Sequence, residues 1–239
     1  MAIKQAATQS PKELPIILCF HGAGTNGVIF KLQTRKIIQA LRSHFRFVFL
    51  DAPFESLPEP RVGAVLLDLG PFFRWHCDEN AAAGFDVGID EIKRERAMTR
   101  QLLLDTMRLY GSRNIVGVMG FSQGTRVATA ICLDEVLGRG IRFAIIIAGT
   151  FPILSVDEEG QCKELWLGHP SVHVQGSRDP WQPESIRLLK TYYDAAQAVV
   201  VKFDGAHQVP TEQGVVDEIA KAVLSVMASG QGSQVGEEP

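Results

Sequence analysis

One serine, one aspartate and one histidine stand in an order along the chain that could support nucleophilic catalysis. Ser122 is the centre of a Gly-Phe-Ser-Gln-Gly pentapeptide, which fits the pattern Gly-x-Ser-x-Gly. Asp179 and His207 follow it, in the order nucleophile, acid, histidine. A serine hydroxyl is a weak nucleophile at neutral pH, so it needs a nearby base, which a carboxylate in turn orients. The three residues therefore predict a catalytic triad.

The sequence around Ser122 also predicts the backbone that such a nucleophile requires. Residues 115–119 are apolar and rich in β-branched side chains, as in a buried strand, and an apolar-periodic helix follows the serine. Glycines at 120 and 124 suit a tight turn, because a larger side chain would collide with the strand or the helix. The helix dipole would favour negative charge that develops at the serine. Taken alone, the pentapeptide could also be an ordinary strand-to-helix turn, so the rest of the chain has to decide.

Other histidines and carboxylates compete for the two supporting roles. His169 and His173 flank or occupy a predicted strand, so we expect them to be structural. His207, in contrast, ends a strand and sits in a Gly-Ala loop. Asp204 is an alternative acid, but its carboxylate would have to fold back to reach a histidine only three residues away. We therefore favour Asp179.

The tetrahedral intermediate of acyl transfer needs two hydrogen-bond donors for its oxyanion. One is expected to be the backbone N–H of Gln123, directly after the nucleophile. The other would come from the glycine-rich turn at residues 21–27, where Ala23 is the candidate. His21 could act as a base, but a role in holding the shape of this turn is the better interpretation. The turn could also cradle a phosphate, but its spacing matches neither GxGxxG nor a P-loop.

Strands and helices alternate along the chain, which predicts an α/β fold with one doubly wound, mainly parallel sheet and helices on both faces. The predicted strands are residues 15–20, 45–50, 115–119, 141–148, 171–175 and 198–203. The predicted helices include one that contains residues 37–41, one after the serine, and residues 89–110, 183–196 and 211–227. Each candidate catalytic residue follows a strand, and such sheets bind ligands at the carboxyl ends of their strands. The fold would thus gather these residues at one edge of the sheet.

The alternation breaks at residues 54–88, which we interpret as a lid-like insertion because long connections in compact domains commonly serve as lids or binding loops. Aromatic residues of this segment and of two later stretches are Phe72, Phe73, Trp75, Phe151 and Trp181. Together they would form an apolar acyl pocket beside the serine. The alternative is that they are ordinary core or lid-packing residues.

Length and composition are typical of a globular protein that is not a nucleic-acid or membrane protein. The chain has 239 residues, of which 46% are hydrophobic and 21% charged, which is ample for a large core. We expect one domain over residues 1–228 and a disordered tail over 229–239, which is rich in Gly, Gln, Ser and Glu. The net charge of −3 and the absence of a basic block argue against nucleic acid. Without a secretory signal or a membrane-spanning run, the predicted location is cytoplasmic.

The cysteines and histidines give no sign of a metal site. The four cysteines are far apart and form no CxxC pair, which favours a reduced protein without structural zinc. No group of histidines and carboxylates has the spacing of metal ligands. The sequence therefore predicts neither a metal nor a cofactor.

Six short motifs together resemble a known family. They are His-Gly-Ala-Gly at 21–24, Asp-Ala-Pro at 51–53, Gly-Pro-Phe-Phe-Arg-Trp at 70–75, Gly-Phe-Ser-Gln-Gly at 120–124, Gly-Ser-Arg-Asp-Pro at 176–180 and Gly-Ala-His at 205–207. Over roughly residues 14–226 the chain is similar to the fungal serine hydrolase family of α/β-hydrolases. The Asp-Ala-Pro and Gly-Pro-aromatic-aromatic runs are the more specific part. Ala206 and Gln208 depart from the family pattern, because many members carry a second Gly or His near the catalytic histidine.

The resemblance implies an esterase or thioesterase whose triad is Ser122, Asp179 and His207. Several members, such as the releasing thioesterase of the lovastatin pathway, free polyketide chains from the acyl carrier protein of a polyketide synthase. We therefore expect a serine hydrolase that cleaves an acyl ester or thioester through an acyl-enzyme and releases a product from a carrier protein. Two alternatives stay open: a carboxylesterase for small diffusible esters, and a non-hydrolytic binding or cyclisation role for the same pocket.

Overall fold

Six parallel strands form the central sheet of the computed structural model, which describes residues 14–60, 63–77, 89–151 and 168–229. The strands are β1 (Ile16–Phe20), β2 (Arg46–Leu50), β3 (Phe54–Ser56), β4 (Phe72–Arg74), β5 (Ile115–Phe121), β6 (Phe143–Ile147), β7 (Ser171–Gly176) and β8 (Ala198–Phe203). The helices are α1 (Gly27–Gln33), α2 (Arg35–Leu41), α3 (Ile89–Tyr110), α4 (Gln123–Leu133), α5 (Gln182–Tyr192) and α6 (Gln213–Ser229). Short 3₁₀ turns span Ala64–Leu69, Ser112–Asn114 and Gly138–Gly140.

The order of the strands places a possible ligand site at the carboxyl ends of the central strands β1 and β5. The order is β2-β1-β5-β6-β7-β8, and β3 pairs with β4 in a separate antiparallel pair. The chain starts at β1, adds β2 on one side and then crosses to β5 on the other side, so the winding direction reverses between β1 and β5. Ligands of doubly wound sheets bind at this reversal. The predicted doubly wound, mainly parallel fold is confirmed.

Hydrophobic cores lie on both faces of the sheet. Successive side chains of a strand point to opposite faces, so Leu18 and Phe20 enter one core while Ile17 and Cys19 enter the other. Helices α3, α4 and α5 cover the first face, and α1, α2 and α6 cover the second. The central strand β5 is buried along its whole length, as expected of a parallel strand with helices on both sides.

Two element boundaries differ from the sequence prediction for local reasons. The predicted first helix is two helices, because Thr34 adopts φ −90° and ψ 6° and its hydroxyl donates to the carbonyl of Phe30 at 2.7 Å. This bond gives the carbonyl of Phe30, in the last turn of α1, a hydrogen-bond donor where the chain changes direction. Helix α5 ends at Tyr192 rather than near residue 196, because Asp194 closes a turn by accepting from the N–H of Ala196.

The predicted insertion at residues 54–88 contains secondary structure of its own. β3 and β4 pair antiparallel, and Arg74 of β4 forms a bidentate ion pair with the buried Glu95 of α3 at 2.7 and 2.8 Å. Burial alone would raise the pKa of Glu95, but hydrogen bonds from Arg74 and Cys77 outweigh it and hold that pKa below its usual range. The insertion is therefore tied to the main domain at β4.

Some sequence predictions concern parts of the chain outside this description. The parts outside the description are residues 1–13, 61–62, 78–88 and 152–167, and the predicted tail beyond Ser229. The extent of the domain, residues 1–228, and the lid-like role of the insertion stay predictions. In the part of the chain that is described, no helix has the length and apolar character needed to cross a membrane.

Candidate active site

Ser122 occupies a strained turn between β5 and α4. Its φ of 52° and ψ of −122° are unusual for a residue with a side chain. A Cβ atom added to Gly124 would lie closer than 3.0 Å to the carbonyl oxygen of Phe20, and one added to Gly120 would meet the backbone of Gly124 equally closely. Only glycine fits these two positions, so the pentapeptide allows β1, β5 and α4 to approach each other while the serine projects from the turn.

Ser122, His207 and Asp179 form a continuous chain of hydrogen bonds. Nε2 of His207 lies 2.8 Å from Oγ of Ser122, and Nδ1 lies 2.9 Å from Oδ2 of Asp179. Because a carboxylate oxygen accepts, Nδ1–H is the donor, which leaves Nε2 to accept the serine hydroxyl. The side chains of His207 and Asp179 are only 9% and 1% exposed. This geometry could abstract the serine proton.

The loops that carry Asp179 and His207 are held against each other. The N–H of Arg178 donates to the carbonyl of Gly205 at 2.9 Å, and the N–H of Trp181 donates to Oδ1 of Asp179 at 2.8 Å. Oδ1 of Asp179 therefore accepts from Trp181, while Oδ2 accepts from His207. These contacts fix the distance between acid and histidine, although the two residues follow different strands.

The rival candidates for acid and base lie elsewhere. The side chain of Asp204 is 82% exposed and forms a surface ion pair with Arg178 at 2.8 Å. His173 is buried in β7 between Ser171 and the ring of Tyr193, and burial lowers its pKa to about 3. Burial also lowers the pKa of His169. None of the three takes part in the hydrogen-bond chain of Ser122.

Both predicted oxyanion donors line the cavity that contains Ser122. Gln123 is the first residue of α4, so its N–H is one of those that the helix itself leaves without an acceptor. Ala23 lies in the turn after β1, the neighbouring strand of β5. Two N–H groups from adjacent strand ends could bind one oxygen there, and the assignment of Ala23 and Gln123 stays a prediction.

His21 is buried and neutral, and it shapes the glycine-rich turn. Its Nε2 lies 3.0 Å from the N–H of Ala52, which can only donate, so Nε2 is the unprotonated nitrogen. Nδ1 therefore carries the proton and donates to the carbonyl of Gly22 at 2.7 Å. Burial lowers the pKa of His21 to about 4, more than its hydrogen bond to Gly22 and the charge of Asp51 raise it. With both ring nitrogens occupied, His21 holds the turn, as the sequence suggests.

Trp75 connects two segments of the backbone around the site. Its side chain is fully buried, and its indole N–H donates to the carbonyl of His21 at 2.8 Å. Its backbone N–H donates to Oε1 of Gln123 at 2.8 Å, and Nε2 of Gln123 donates to the carbonyl of His76 at 3.0 Å. Trp75 thus joins the turn after β1 to the start of α4. Its burial favours the alternative that Trp75 is a packing residue, and its assignment as a substrate contact stays a prediction.

Of the other four predicted pocket residues, Trp181 alone belongs to the described lining of the cavity. Phe73 packs against the core, and its backbone exchanges hydrogen bonds with the turn after β1. Phe72 precedes it in β4 and is half-buried. Phe151 stacks on Tyr192, with the guanidinium of Arg187 over its ring at 3.9 Å. Phe72, Phe73 and Phe151 are not among the described residues of this cavity wall, and their assignment as substrate contacts stays a prediction.

The cavity has a volume of about 520 Å³, which is within the range of small-molecule sites. It receives residues from both faces of the sheet: Gln33 and Arg35 from the α1–α2 side, and Arg126 and Thr150 from the α4 side. Its wall is more polar than the aromatic cluster predicted. The sequence analysis did not identify Arg126 as a cavity residue. Its position could have indicated this, because it follows Ser122 by about one helical turn. Among the residues described, no group of three or more His, Cys, Asp or Glu side chains could hold a metal ion.

Comparisons of sequence identify a family and several fungal relatives. The model of a family described as serine hydrolase (FSH1) matches residues 12–219. Thioesterase FSL2 of Gibberella zeae is 49% identical, over 97% of this chain and 100% of its own. Esterase FUS5 of Gibberella moniliformis is 32% identical over 92% of this chain and 91% of its own, and esterase citA of Monascus ruber is 32% identical over 87% and 90%.

Solved structures share the fold at low sequence identity. A carboxylesterase from Mesorhizobium loti superimposes with a TM-score of 0.60 at 14% identity, covering 89% of this chain and 90% of its own. The Bacillus cereus carboxylesterase gives a TM-score of 0.59 at 16% identity, covering 89% of each chain. At this level of identity the likeness concerns the α/β-hydrolase architecture.

Proposed function

Since the chain belongs to the FSH1 serine hydrolase family, we propose that it cleaves the thioester of an acyl or polyketide chain through an acyl-enzyme on Ser122. The family and the fungal thioesterase and esterase relatives make the protein a serine hydrolase. The observation that carries the assignment of residues is the hydrogen-bond chain from Ser122 through His207 to Asp179, with steps of 2.8 and 2.9 Å. Ser122 and His207 line the cavity of about 520 Å³.

Acylation follows from the donors and acceptors of this chain. Oγ of Ser122 attacks the carbonyl carbon while its proton moves to Nε2 of His207. Asp179 accepts from Nδ1–H and stabilises the imidazolium that forms. The N–H groups of Ala23 and Gln123 donate to the oxyanion. When the bond between the carbonyl carbon and sulfur breaks, Nε2 returns the proton to the departing thiolate.

Deacylation repeats these steps with water. Nε2 of His207 removes a proton from a water molecule, whose oxygen attacks the acyl carbon. The ester bond to Ser122 then breaks, and the proton on Nε2 restores the serine hydroxyl. The products are a free carboxylic acid and the thiol carrier. A thioester is a reactive acyl donor, and the two N–H donors would lower the barrier of both steps.

The thiol carrier is proposed to be the acyl carrier protein of a polyketide synthase, in the cytoplasm. Support comes from the resemblance of the sequence motifs to polyketide-releasing hydrolases and from the 49% identity with a protein named a thioesterase. The names of two other relatives favour a second candidate, since FUS5 and citA are called esterases. A carboxylesterase would use the same residues on small diffusible oxygen esters.

The first experiment tests Ser122 directly. We incubate three proteins with a fluorophosphonate and measure their intact masses by mass spectrometry: wild type, Ser122→Ala and the control Ser112→Ala. Ser112 is an exposed serine before β5. We expect one adduct on wild type and on the control and none on Ser122→Ala, whose hydrolysis of an activated thioester should fall by about 10⁴-fold or more. An adduct on Ser122→Ala, or near-normal turnover by it, would show that another residue is the nucleophile.

The second experiment separates the two candidate functions. The kcat/KM of the wild type is measured for one acyl chain presented as a carrier-bound thioester and as a matched oxygen ester. We expect the carrier-bound thioester to be preferred. A clear preference for the diffusible oxygen ester would instead establish the carboxylesterase.

A further inference from the structure

A cationic side chain lies on the exposed side of the cavity that contains Ser122. Arg35 is the first residue of α2, is exposed, and belongs to the cavity wall. Its one hydrogen bond within the described part of the chain runs from Nη1 to the carbonyl of Leu32 at 3.1 Å. Glu59 is the carboxylate of the described wall, but no ion pair joins it to Arg35. The guanidinium of Arg35 therefore has donors and an unpaired charge for a ligand in the cavity.

The segment that carries Arg35 has an excess of positive charge. Residues 27–50 contain no Asp or Glu, although the whole chain has a net charge of −3. Their basic side chains form no ion pair with any residue that the structure describes. They are Lys31, Arg35, Lys36, Arg42 and Arg46. An uncompensated group of like charges attracts ligands of the opposite sign, so this side of the cavity favours an anion.

A polar side chain without a partner lies next to Arg35 in the cavity wall. Gln33, the last residue of α1, is half-buried, and its Oε1 is buried with no hydrogen-bond partner among the described residues. A buried acceptor that lacks a donor is unfavourable. The terminal torsion of a glutamine side chain is soft, so a small rotation can present this oxygen to the cavity. An amide N–H of a ligand would supply the missing donor.

We propose that Arg35 binds the phosphate of a 4′-phosphopantetheine arm, which places the thiol part of the substrate along Gln33 and Arg35. The planar fork of a guanidinium matches two phosphate oxygens at once. In such an arm the amides are closer to the sulfur than the phosphate is, and the half-buried Gln33 and the exposed Arg35 follow the same order from the interior outward. This inference rests on the proposed function for the thiol carrier, and it adds the group by which the carrier is recognised.

General attraction by surface charge is the alternative to a direct contact, and Arg42 provides a matched control for it. Arg42 directly follows α2 and is exposed. It lies seven residues after Arg35, which is about two helical turns further on the same face. It does not belong to the described wall of the cavity. Removal of either arginine takes one positive charge from this surface, but only Arg35 can contact a ligand in the cavity.

The experiment compares two thioesters that differ in one phosphate. Octanoyl-pantetheine and octanoyl-4′-phosphopantetheine are tested with wild type, Arg35→Met, Arg35→Lys and Arg42→Met. We expect Arg35→Met to lower the ratio of kcat/KM for the phosphorylated over the unphosphorylated thioester by about threefold to tenfold, since solvent screens a pair at an exposed site. Arg35→Lys should recover part of the ratio, because lysine keeps the charge but not the fork. Arg42→Met should leave the ratio as in wild type.

Binding without turnover gives a second readout. In a Ser122→Ala background the intact thioesters cannot acylate the protein, so calorimetry reports their dissociation constants. The preference for the phosphorylated thioester should fall on addition of Arg35→Met. This measurement tests Arg35 even if the wild type hydrolyses neither thioester, an outcome that would count against the proposed function alone.

The same phosphate can reach the site on a carrier protein or on coenzyme A. Octanoyl carrier protein and octanoyl-coenzyme A are therefore compared in the same variants, and a loss in Arg35→Met is expected with both. A loss with octanoyl-coenzyme A alone would place the contact on the phosphates of its nucleotide part and contradict the inference.

Three further results would overturn the inference. The first is an equal loss for the phosphorylated and unphosphorylated thioesters in Arg35→Met, in kinetics and in binding. The second is an equal fall of the ratio in Arg42→Met, which would identify general attraction by surface charge. The third is a loss that follows a carboxylate on the acyl chain instead, seen when an octanedioyl monothioester of pantetheine replaces the octanoyl one.

Discussion

At the residue scale, the site depends on side chains that hold the backbone around Ser122 rather than on the nucleophile alone. A residue in a rare backbone conformation persists only where its surroundings fix it. The carbonyl of Ser122 accepts from the hydroxyls of Thr125 at 2.6 Å and Thr150 at 3.1 Å, and from the N–H of Thr125 at 2.9 Å. Gln123 adds a two-way link to the segment of Trp75 and His76. These neighbours keep the serine poised toward His207.

Gln123→Leu tests the supporting role of this side chain. The variant keeps the backbone N–H that is proposed to bind the oxyanion, but it removes the acceptor of the buried Trp75 N–H. We expect the free energy of unfolding to fall by about 1–3 kcal/mol, the cost of leaving a buried polar group without its partner. We also expect kcat to fall, because the start of α4 and the turn after β1 lose their common link.

Urea unfolding and steady-state kinetics measure these effects. The control is Gln101→Leu, since Gln101 forms its bond to Asp105 on the exposed face of α3 and should change stability by less than about 0.5 kcal/mol. Equal effects of the two substitutions would show that the link through Gln123 contributes nothing special.

At the scale of elements, the strand-turn-helix unit β5–α4 is where close packing is most demanding. α4 begins directly behind β1, and Gly124 lets its first turn approach the carbonyls of Phe20 and His21. The same approach puts the N–H of Gln123 next to the turn that holds Ala23. The position of α4 relative to β1 therefore determines the distance between the two proposed oxyanion donors.

Gly124→Ala should move α4 away from β1. Its new methyl group would meet backbone atoms, which have less freedom to adjust than the end of a side chain. We expect a loss of stability of about 1–3 kcal/mol from overpacking, together with a loss of activity. The thermal unfolding midpoint and the rate of fluorophosphonate labelling measure the two effects.

Gly214→Ala is the matched control for that substitution. Gly214 lies in the first turn of α6, where an added Cβ would meet nothing within 4 Å. Alanine there should stabilise the protein by about 0.5–1 kcal/mol through its better helix propensity. If Gly124→Ala behaved like Gly214→Ala, the tight approach of α4 to β1 would be refuted.

At the scale of the whole molecule, residues that follow four different strands are brought together by the parallel sheet. β1 supplies Ala23, β5 supplies Ser122 and Gln123, β7 supplies Asp179 and β8 supplies His207. Because all these strands are parallel, their carboxyl ends lie at one edge. The same packing buries His21 and His173 in neutral form. The packing that forms the site therefore also makes the free energy of unfolding depend on pH.

The free energy of unfolding should fall as the pH is lowered from 6.5 toward 4. An unfolded histidine binds a proton near pH 6.5, whereas burial lowers the native pKa to about 4 for His21 and about 3 for His173. The unfolded chain therefore binds more protons in this window, and acid favours it. Each histidine should contribute a slope of up to about 1.4 kcal/mol per pH unit.

Urea unfolding at pH 7.0, 6.0 and 5.0 tests this dependence above the range where carboxylates titrate. His173→Gln removes one of these buried groups and should reduce the slope between pH 6.0 and 5.0 by up to about 1.4 kcal/mol per pH unit, the contribution of one histidine. A stability that is constant between pH 7.0 and 5.0 in the wild type would contradict the burial of both rings in neutral form.

Sequence alone determined the features that depend on neighbouring residues. The apolar runs, the glycines around Ser122 and the end of each strand follow from local sterics and from the period of the side chains, so the sheet, the turn and the family could be predicted. The order of strands then places the carboxyl ends together. The choice of Asp179 over Asp204 was also available, because a carboxylate three residues from a histidine is badly placed to orient it.

Only the tertiary structure decided which side chains face the cavity. Trp75 and Trp181 are both aromatic residues near predicted loops, but the first is buried beneath the turn after β1 and the second is 46% exposed at the cavity. Arg126 carries no motif, and its place beside Ser122 depends on contacts with residues 24 and 25 positions later in the chain. Cavity walls are built from segments distant in sequence, and their side-chain directions follow from packing against elements that local patterns do not specify.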